Sequence, residues 1–141
     1  MDDVKEIFDI RILLKNSVLE ILIKEKRLSA QDIGGLYAII DQMVAIAKED
    51  GNNTTKIVRI NEKDMEFHSF LWQKSNSKRR IKILTDLYFQ LQMAMVIDTR
   101  LTGDLDVTAK DHYDILKYLE LGDLQNCMQA LKNHIITYRI M

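Results

Sequence analysis

The chain contains no proline among its 141 residues, and only five glycines. Proline ends or kinks helices because it lacks a backbone N–H and clashes with the preceding turn, and turn-rich β folds depend on both residue types. A chain this poor in both is suited to long helices joined by short connections. Its apolar residues also recur at helical spacing along nearly the whole sequence. We therefore predict an all-α fold.

Breaks in the helical pattern divide the chain into six helices. The connections are short and polar, which favours antiparallel neighbours, so we predict a single bundle of about six helices over residues 1–141. Ser29 followed by Asp32 has the pattern of a capping box, and Thr108 is the predicted N-cap of the fifth helix. The predicted limits are about residues 2–26, 29–51, 55–74, 78–101, 108–121 and 123–138.

The charge balance argues against direct binding to nucleic acid. Twenty basic and 21 acidic residues leave a formal charge of -1. The densest basic run, Lys78-Arg79-Arg80, is too short for a nucleic-acid reader. By itself the chain is not expected to bind DNA.

The remaining composition indicates a cytoplasmic domain without a membrane anchor. Cys127 is the only cysteine, so an internal disulfide is excluded. The acidic N-terminus is unlike a signal peptide, and no apolar run reaches the roughly 18 residues of a membrane span.

Four polar residues fall on helix faces that should be apolar. Asp64 and His68 in the third helix are four residues apart, so both side chains leave the same face. His112 heads the apolar stripe of the fifth helix, and His134 lies within that of the last. All three histidines of the chain therefore face the predicted core.

Two interpretations of this set remain open from spacing alone. A divalent ion such as Zn, Ni, Co, Mn or Fe(II) would satisfy one carboxylate and three imidazoles together, and would leave coordination positions for water or an anion in a central pocket. The alternative is a buried ion pair between the aspartate and a histidine, with two structural histidines beside it.

Arg11 occupies the inward stripe of the first helix. A guanidinium in that position must find an anion, and it can hold a carboxylate with two hydrogen bonds. The carboxylate would belong either to an internal Asp or Glu or to a small acid bound near the metal. Tyr88 and Gln92 of the fourth helix are further candidate contacts to that acid.

Four sequence segments, in a fixed order, form a pattern that spans most of the chain. They are Phe8-Asp9-Ile10-Arg11-Ile12-Leu13-Leu14, Asp64-Met65-Glu66-Phe67-His68, Asp111-His112-Tyr113-Asp114-Ile115-Leu116, and Gly122-Asp123-Leu124 followed by Met128 and His134. Together they resemble the FCD domain, the C-terminal ligand-binding domain of the FadR branch of GntR-type transcription regulators.

The resemblance implies that Asp64, His68, His112 and His134 bind a divalent transition metal, and that Arg11 contacts the carboxylate of a small organic-acid effector. It also implies a non-enzymatic, homodimeric domain that controls DNA binding by a winged helix-turn-helix domain, which is absent from this chain. The sequence departs from the family in one further respect. The arginine that many members carry on the fourth helix has no counterpart in residues 88–95.

Two other function classes fit the same residues. A metal-dependent hydrolase or lyase would use the ion to activate water, but the inward stripes offer no general base beyond Asp64. The other is a metal-free helical interaction domain with structural histidines. Under any of these classes, the Met-rich, aromatic fourth helix is a candidate dimer interface.

Overall fold

The computed structural model describes the backbone of residues 2–97 and 105–140 and the side chains of residues 5–90 and 105–134. Every described residue outside the connections is helical, so the predicted all-α fold is confirmed. The helices are α1 (Asp2–Lys24), α2 (Ala30–Lys48), α3 (Asn53–Lys74), α4 (Lys78–Ile97), α5 (Leu105–Leu121) and α6 (Leu124–Ile140).

Two helix starts differ from the sequence prediction. α3 begins before Thr55 because the side chain of Asn52 accepts a hydrogen bond from the backbone N–H of Thr54 at 2.6 Å and caps the helix there. The prediction of Thr108 as an N-cap is wrong. α5 begins at Leu105, and Asp106 supplies the negative charge that a first turn favours, so Thr108 lies inside the helix and is buried. The predicted end of the fourth helix at Leu101 lies outside the described residues.

The capping box at the start of α2 is confirmed. The Ser29 hydroxyl accepts a hydrogen bond from the backbone N–H of Asp32 at 3.0 Å, and the Asp32 carboxylate accepts one from the backbone N–H of Ser29 at 2.9 Å. Two N–H groups that the helix leaves unpaired are thereby satisfied. The cap fixes where α2 starts and hence which of its faces is buried.

The turn between α5 and α6 places these two helices side by side. Gly122 adopts a φ of +71°, which glycine tolerates without strain, and its N–H donates to the carbonyl of Leu119. The N–H of Asp123 donates to the carbonyl of Tyr118, which completes a Schellman motif. Asp123 then accepts a hydrogen bond from the backbone N–H of Asn126 at the start of α6. This reversal carries the histidines of α5 and α6 toward each other.

The core of the bundle lies between helices that pack against one another. α2 packs against α3 and α5, α5 packs against α6, and α1 packs against α3, α4 and α6. In the parts of the chain that the structure describes, no helix combines the length and apolar character needed to cross a bilayer. The completely buried side chains on α2 and its partners include Leu36, Ile40, Met43, Phe67 and Leu116.

Candidate metal centre

The four polar residues singled out in the sequence meet at one point inside the bundle. α3 contributes Asp64 and His68, α5 contributes His112, and α6 contributes His134. All four are buried, and one nitrogen or oxygen atom from each lies within 4.8 Å of the others. We refer to these four residues as the Asp/His cluster.

Asp64 lies at the centre of the cluster. Its Oδ1 atom is 2.7 Å from Nε2 of His112, 3.1 Å from Nε2 of His68 and 3.4 Å from Nε2 of His134. If two ligand atoms each lie about 2.1 Å from one ion, their separation depends on the angle between them at the ion. They lie about 3.0 Å apart when that angle is a right angle and about 3.4 Å apart in a tetrahedral arrangement. The separations to His68 and His134 therefore match those between neighbouring ligands of one ion, whereas the separation to His112 is that of a hydrogen bond.

Both ring nitrogens of His112 face oxygen atoms. Nδ1 is 3.1 Å from the carbonyl oxygens of both Thr108 and Ala109, and Nε2 is 2.7 Å from Oδ1 of Asp64. Burial, assisted by the neighbouring His134, lowers the pKa of His112 and favours the neutral ring, which has one proton for these two sides. When Nδ1 donates to the carbonyls, the Nε2 lone pair faces the carboxylate oxygen of Asp64. Two acceptors at this distance repel each other unless a cation is shared between them.

His134 is oriented by a residue outside the cluster. Its Nδ1 atom lies 3.7 Å from Oδ2 of Asp111 on α5, while its Nε2 faces Asp64. Burial by itself acts to lower the pKa of His134, but the attraction of Asp111 and Asp64 outweighs it and the pKa is raised. A carboxylate behind a ligating imidazole fixes its tautomer and ring plane, as is usual at metal sites. The sequence analysis did not identify Asp111 as a site residue.

The cluster holds one stable negative charge. Burial would raise the pKa of Asp64, but the electrostatic attraction of His68 and the contacts with the other two imidazoles outweigh it, so this pKa lies well below its ordinary value. Burial and the nearby Lys15 both lower the pKa of His68. An ionised carboxylate and three imidazoles, which bind a metal in their neutral form, make up a donor set that Zn²⁺ and related transition metals bind. The described residues therefore fit a divalent transition metal.

Phe67 keeps two of the imidazoles in place. Its ring meets the rings of His68 and His112 edge-on, with centroids 5.1 and 5.0 Å apart, and Phe67 itself is completely buried. Edge-to-face pairs of this kind favour one ring orientation. The apolar packing of α3 and α5 thus presents the ring nitrogens toward Asp64.

Arg11 is buried on the inward face of α1, as the sequence predicted, with 9% of its surface exposed. Its guanidinium carbon lies 5.8 Å from the centre of the Phe8 ring. Lys15, one turn further along the same face, is also buried, and the sequence analysis missed it. Helical spacing would have found it, because Lys15 lies three and four residues before the core residues Val18 and Leu19.

Tyr88 is half-buried on α4, and its hydroxyl donates to the carbonyl of Asn61 at 3.4 Å. Burial raises its pKa to about 12, and the charges of Asp64 and Arg11 both act on its hydroxyl. Tyr88 therefore stays protonated at neutral pH. The other predicted contact, Gln92, lies where the structure describes the backbone alone.

Comparison with known proteins agrees with this architecture. The sequence profile of the FCD domain matches residues 6–137, which confirms the resemblance drawn from the four sequence segments. Among solved structures, the chain is similar to E. coli McbR/YncC with a TM-score of 0.81 and 16% identity. The match covers 99% of this chain and 66% of that chain, so this chain spans just under two thirds of that protein. No curated protein matches it in sequence.

Proposed function

The chain belongs to the FCD domain family, and from this premise we propose that it is a regulatory domain that senses a small organic acid at a divalent metal ion. The ion would be held by Asp64, His68, His112 and His134. One observation carries the proposal: three imidazole Nε2 atoms surround a single carboxylate oxygen at 2.7 to 3.4 Å. FCD domains are ligand-sensing modules of GntR-type regulators, which agrees with such a site.

The ion would supply a fixed positive charge that accepts one carboxylate of the acid in a position left open by the protein ligands. The chain's own residues orient that acid. Arg11 is the candidate contact to the carboxylate, and the protonated hydroxyl of Tyr88 is a candidate hydrogen-bond donor. Because these residues belong to α1 and α4, a bound acid would link these helices to α3, α5 and α6. Its binding energy would favour the arrangement in which all of them contact it.

A regulatory role fits the cluster better than catalysis of hydrolysis or elimination. Catalysis at an ion also needs a general acid or base beside the reacting atoms. Among the described residues, Asp111 is the only carboxylate apart from Asp64 within 4.0 Å of a histidine of the cluster. It lies on the Nδ1 side of His134, opposite the Nε2 atom that faces Asp64, and so is placed to orient the ring rather than to act on a molecule at the ion.

The site would affect DNA binding through the arrangement of two copies of the chain in a dimer. We propose that the chain is a cytoplasmic homodimer that controls a winged helix-turn-helix domain, so that effector binding changes the separation of two DNA readers. α1 and α4 pack against each other, and both expose large apolar side chains to solvent: Leu13 is 70% exposed and Phe89 is 58% exposed. Exposed apolar surface of this kind is typical of subunit interfaces.

The dimer proposal is tested by placing a charge at the exposed apolar residues of α1 and α4. Leu13→Glu and Phe89→Glu should each convert a dimer to a monomer in sedimentation equilibrium. Leu121→Glu is the matched control, because Leu121 is 68% exposed at the far end of α5. A parent chain that is monomeric at every concentration would contradict the proposal.

The sensing function is tested by thermal unfolding of the chain loaded with zinc, in the presence of small carboxylic acids. An acid that binds the folded chain should raise its melting temperature in proportion to the logarithm of its concentration. The same acid should have no effect on zinc-treated Asp64→Asn, whereas the exposed control Asp86→Asn should respond like the parent. The sensing proposal fails if zinc-loaded parent responds to none of the acids.

A further inference from the structure

Lys15 is a buried cation that the proposed site has not yet used. It lies on α1 one turn after Arg11, and only 4% of its surface is exposed. Its Nζ atom is 5.7 Å from the centre of the Trp72 ring, so the aliphatic stem runs across a fully packed aromatic side chain. Buried lysines are rare unless their charge is compensated.

The described residues do not compensate this charge with an ion pair. No carboxylate among them lies within 4.0 Å of Nζ, and the attraction that reaches Lys15 comes from Asp64, which already faces three imidazoles. Burial, followed by repulsion from Arg11, lowers the pKa of Lys15 well below its usual value. An ammonium in this position is costly to the free protein, and a bound anion would remove that cost.

Lys15 also borders the Asp/His cluster. Lys15, His68 and Trp72 line a common cavity with room for about one water-sized group. The charge of Lys15 acts on both His68 and His134. A group bound beside Lys15 would therefore lie next to the metal ligands, on the α1 side of the bundle.

We propose that Lys15 is a second anion-binding residue of the effector site, and that the effector is a small organic acid with two carboxylates. This inference rests on the proposed function, since one carboxylate would occupy the metal ion held by the Asp/His cluster. The second carboxylate would pair with the ammonium of Lys15. A monocarboxylate placed at the ion would leave that ammonium buried without a partner.

The pairing predicts a preference that calorimetry measures directly. Zinc-loaded chain is titrated with three dicarboxylates, malonate, succinate and glutarate. It is also titrated with the monocarboxylates of the same chain lengths, propionate, butyrate and pentanoate. A charge-assisted contact in a buried site is worth about tenfold or more in affinity. At least one dicarboxylate should therefore bind about tenfold or more tightly than its monocarboxylate counterpart.

Lys15→Met tests whether Lys15 is the cause of this preference. Methionine keeps a flexible stem of similar length against Trp72 but removes the charge. The variant should lose the preference for dicarboxylates while its affinity for monocarboxylates stays within about twofold. Lys24→Met, on the same helix but exposed, is the control and should retain the preference.

The outcomes separate the two proposals. The assignment of Lys15 would be overturned if the zinc-loaded parent bound both kinds of acid with equal affinity. It would also be overturned if Lys15→Met weakened the binding of dicarboxylates and monocarboxylates by the same factor. Either result would leave effector sensing standing. If zinc-loaded parent binds none of the six acids, the sensing function and the inference fall together.

Thermal unfolding of the metal-free chain tests the role of Lys15 in a second way, without any ligand. A charge that serves a ligand is a burden on the free protein, so Lys15→Met should melt at the same temperature as the parent or higher. A lower melting temperature, with Lys24→Met unchanged, would show that Lys15 is needed for the fold and would contradict its role as a ligand contact.

Discussion

Two regions of the same bundle interior differ in chemistry. Where α2 packs on α3 and α5, the buried side chains are apolar, with Leu36, Ile40 and Met43 completely enclosed. Where α3, α5 and α6 meet beneath α1, the interior holds the Asp/His cluster together with Arg11 and Lys15. Both regions are buried.

The difference separates stability from binding. Apolar burial stabilises the folded chain without needing any partner. Buried ionisable groups cost free energy unless they are paired, and they are retained where they bind something. Substitutions in the α2 region should therefore change the free energy of unfolding and leave metal affinity alone. Substitutions around the cluster should do the reverse.

The largest effect is expected in the apolar region. Leu36→Ala should lower the free energy of unfolding by about 2–5 kcal/mol, because it leaves a cavity at a fully enclosed position. Chemical denaturation measures this loss, and zinc affinity of the folded variant should equal that of the parent. A variant that unfolds normally but binds zinc much more weakly would show that the two regions are coupled.

Metal binding should be the next largest effect. Zinc at about 100 times its dissociation constant should stabilise the parent by about 2.7 kcal/mol, because it binds the folded chain and not the dispersed ligands of the unfolded one. Chelation should reverse the gain, and Asp64→Asn should show no gain at any zinc concentration. Equal stabilisation of the Asp64→Asn variant would place the metal elsewhere on the chain.

Removing the carboxylate behind His134 should have an intermediate effect. Asp111→Asn should weaken zinc binding about 10–100-fold, because the Nδ1 of His134 loses the group that orients it. Asp114→Asn, on the exposed face of the same helix, is the control and should bind zinc like the parent. Competition with a chromogenic chelator measures both affinities. Unchanged affinity in Asp111→Asn would exclude an orienting role for that carboxylate.

The smallest effect belongs to the cap of α2. Ser29→Ala should lower the free energy of unfolding by about 1 kcal/mol, since it removes the acceptor for the N–H of Asp32. The loss should be the same with and without zinc. A loss that appears only in zinc-loaded chain would mean that the start of α2 is coupled to the cluster.

The sequence predicted the helices and the Asp/His cluster because both follow from one periodicity. The absence of proline and the helical spacing of apolar residues set the fold, and the same spacing marked Asp64, His68, His112 and His134 as inward-facing. The four residues meet only because their helices pack with these positions at the same height in the bundle. Spacing within a single helix cannot predict that height, so the prediction that the four residues meet came from the resemblance to a family.

There are physical reasons why the sequence analysis missed two residues and misplaced a third. Lys15 was missed, although it lies on the inward stripe, because lysine on a helix is usually exposed. Asp111 orients His134 across a helix contact, which no spacing within α5 reveals. Thr108 resembles a cap in sequence, but it lies three residues into α5, and Asp106 is the acidic residue of the first turn.

The most direct test of a metal centre is the metal content of the chain purified without a histidine tag and then exposed to zinc, nickel or manganese. Mass spectrometry of the digested protein should find about one transition-metal ion per chain in the parent, as expected for a single site with four ligands. The double variant His68→Ala/His134→Ala should hold none while remaining helical by circular dichroism. A parent chain that retains no metal after any of the three treatments would contradict the metal centre and leave the buried Asp–His ion pair as the explanation of the cluster.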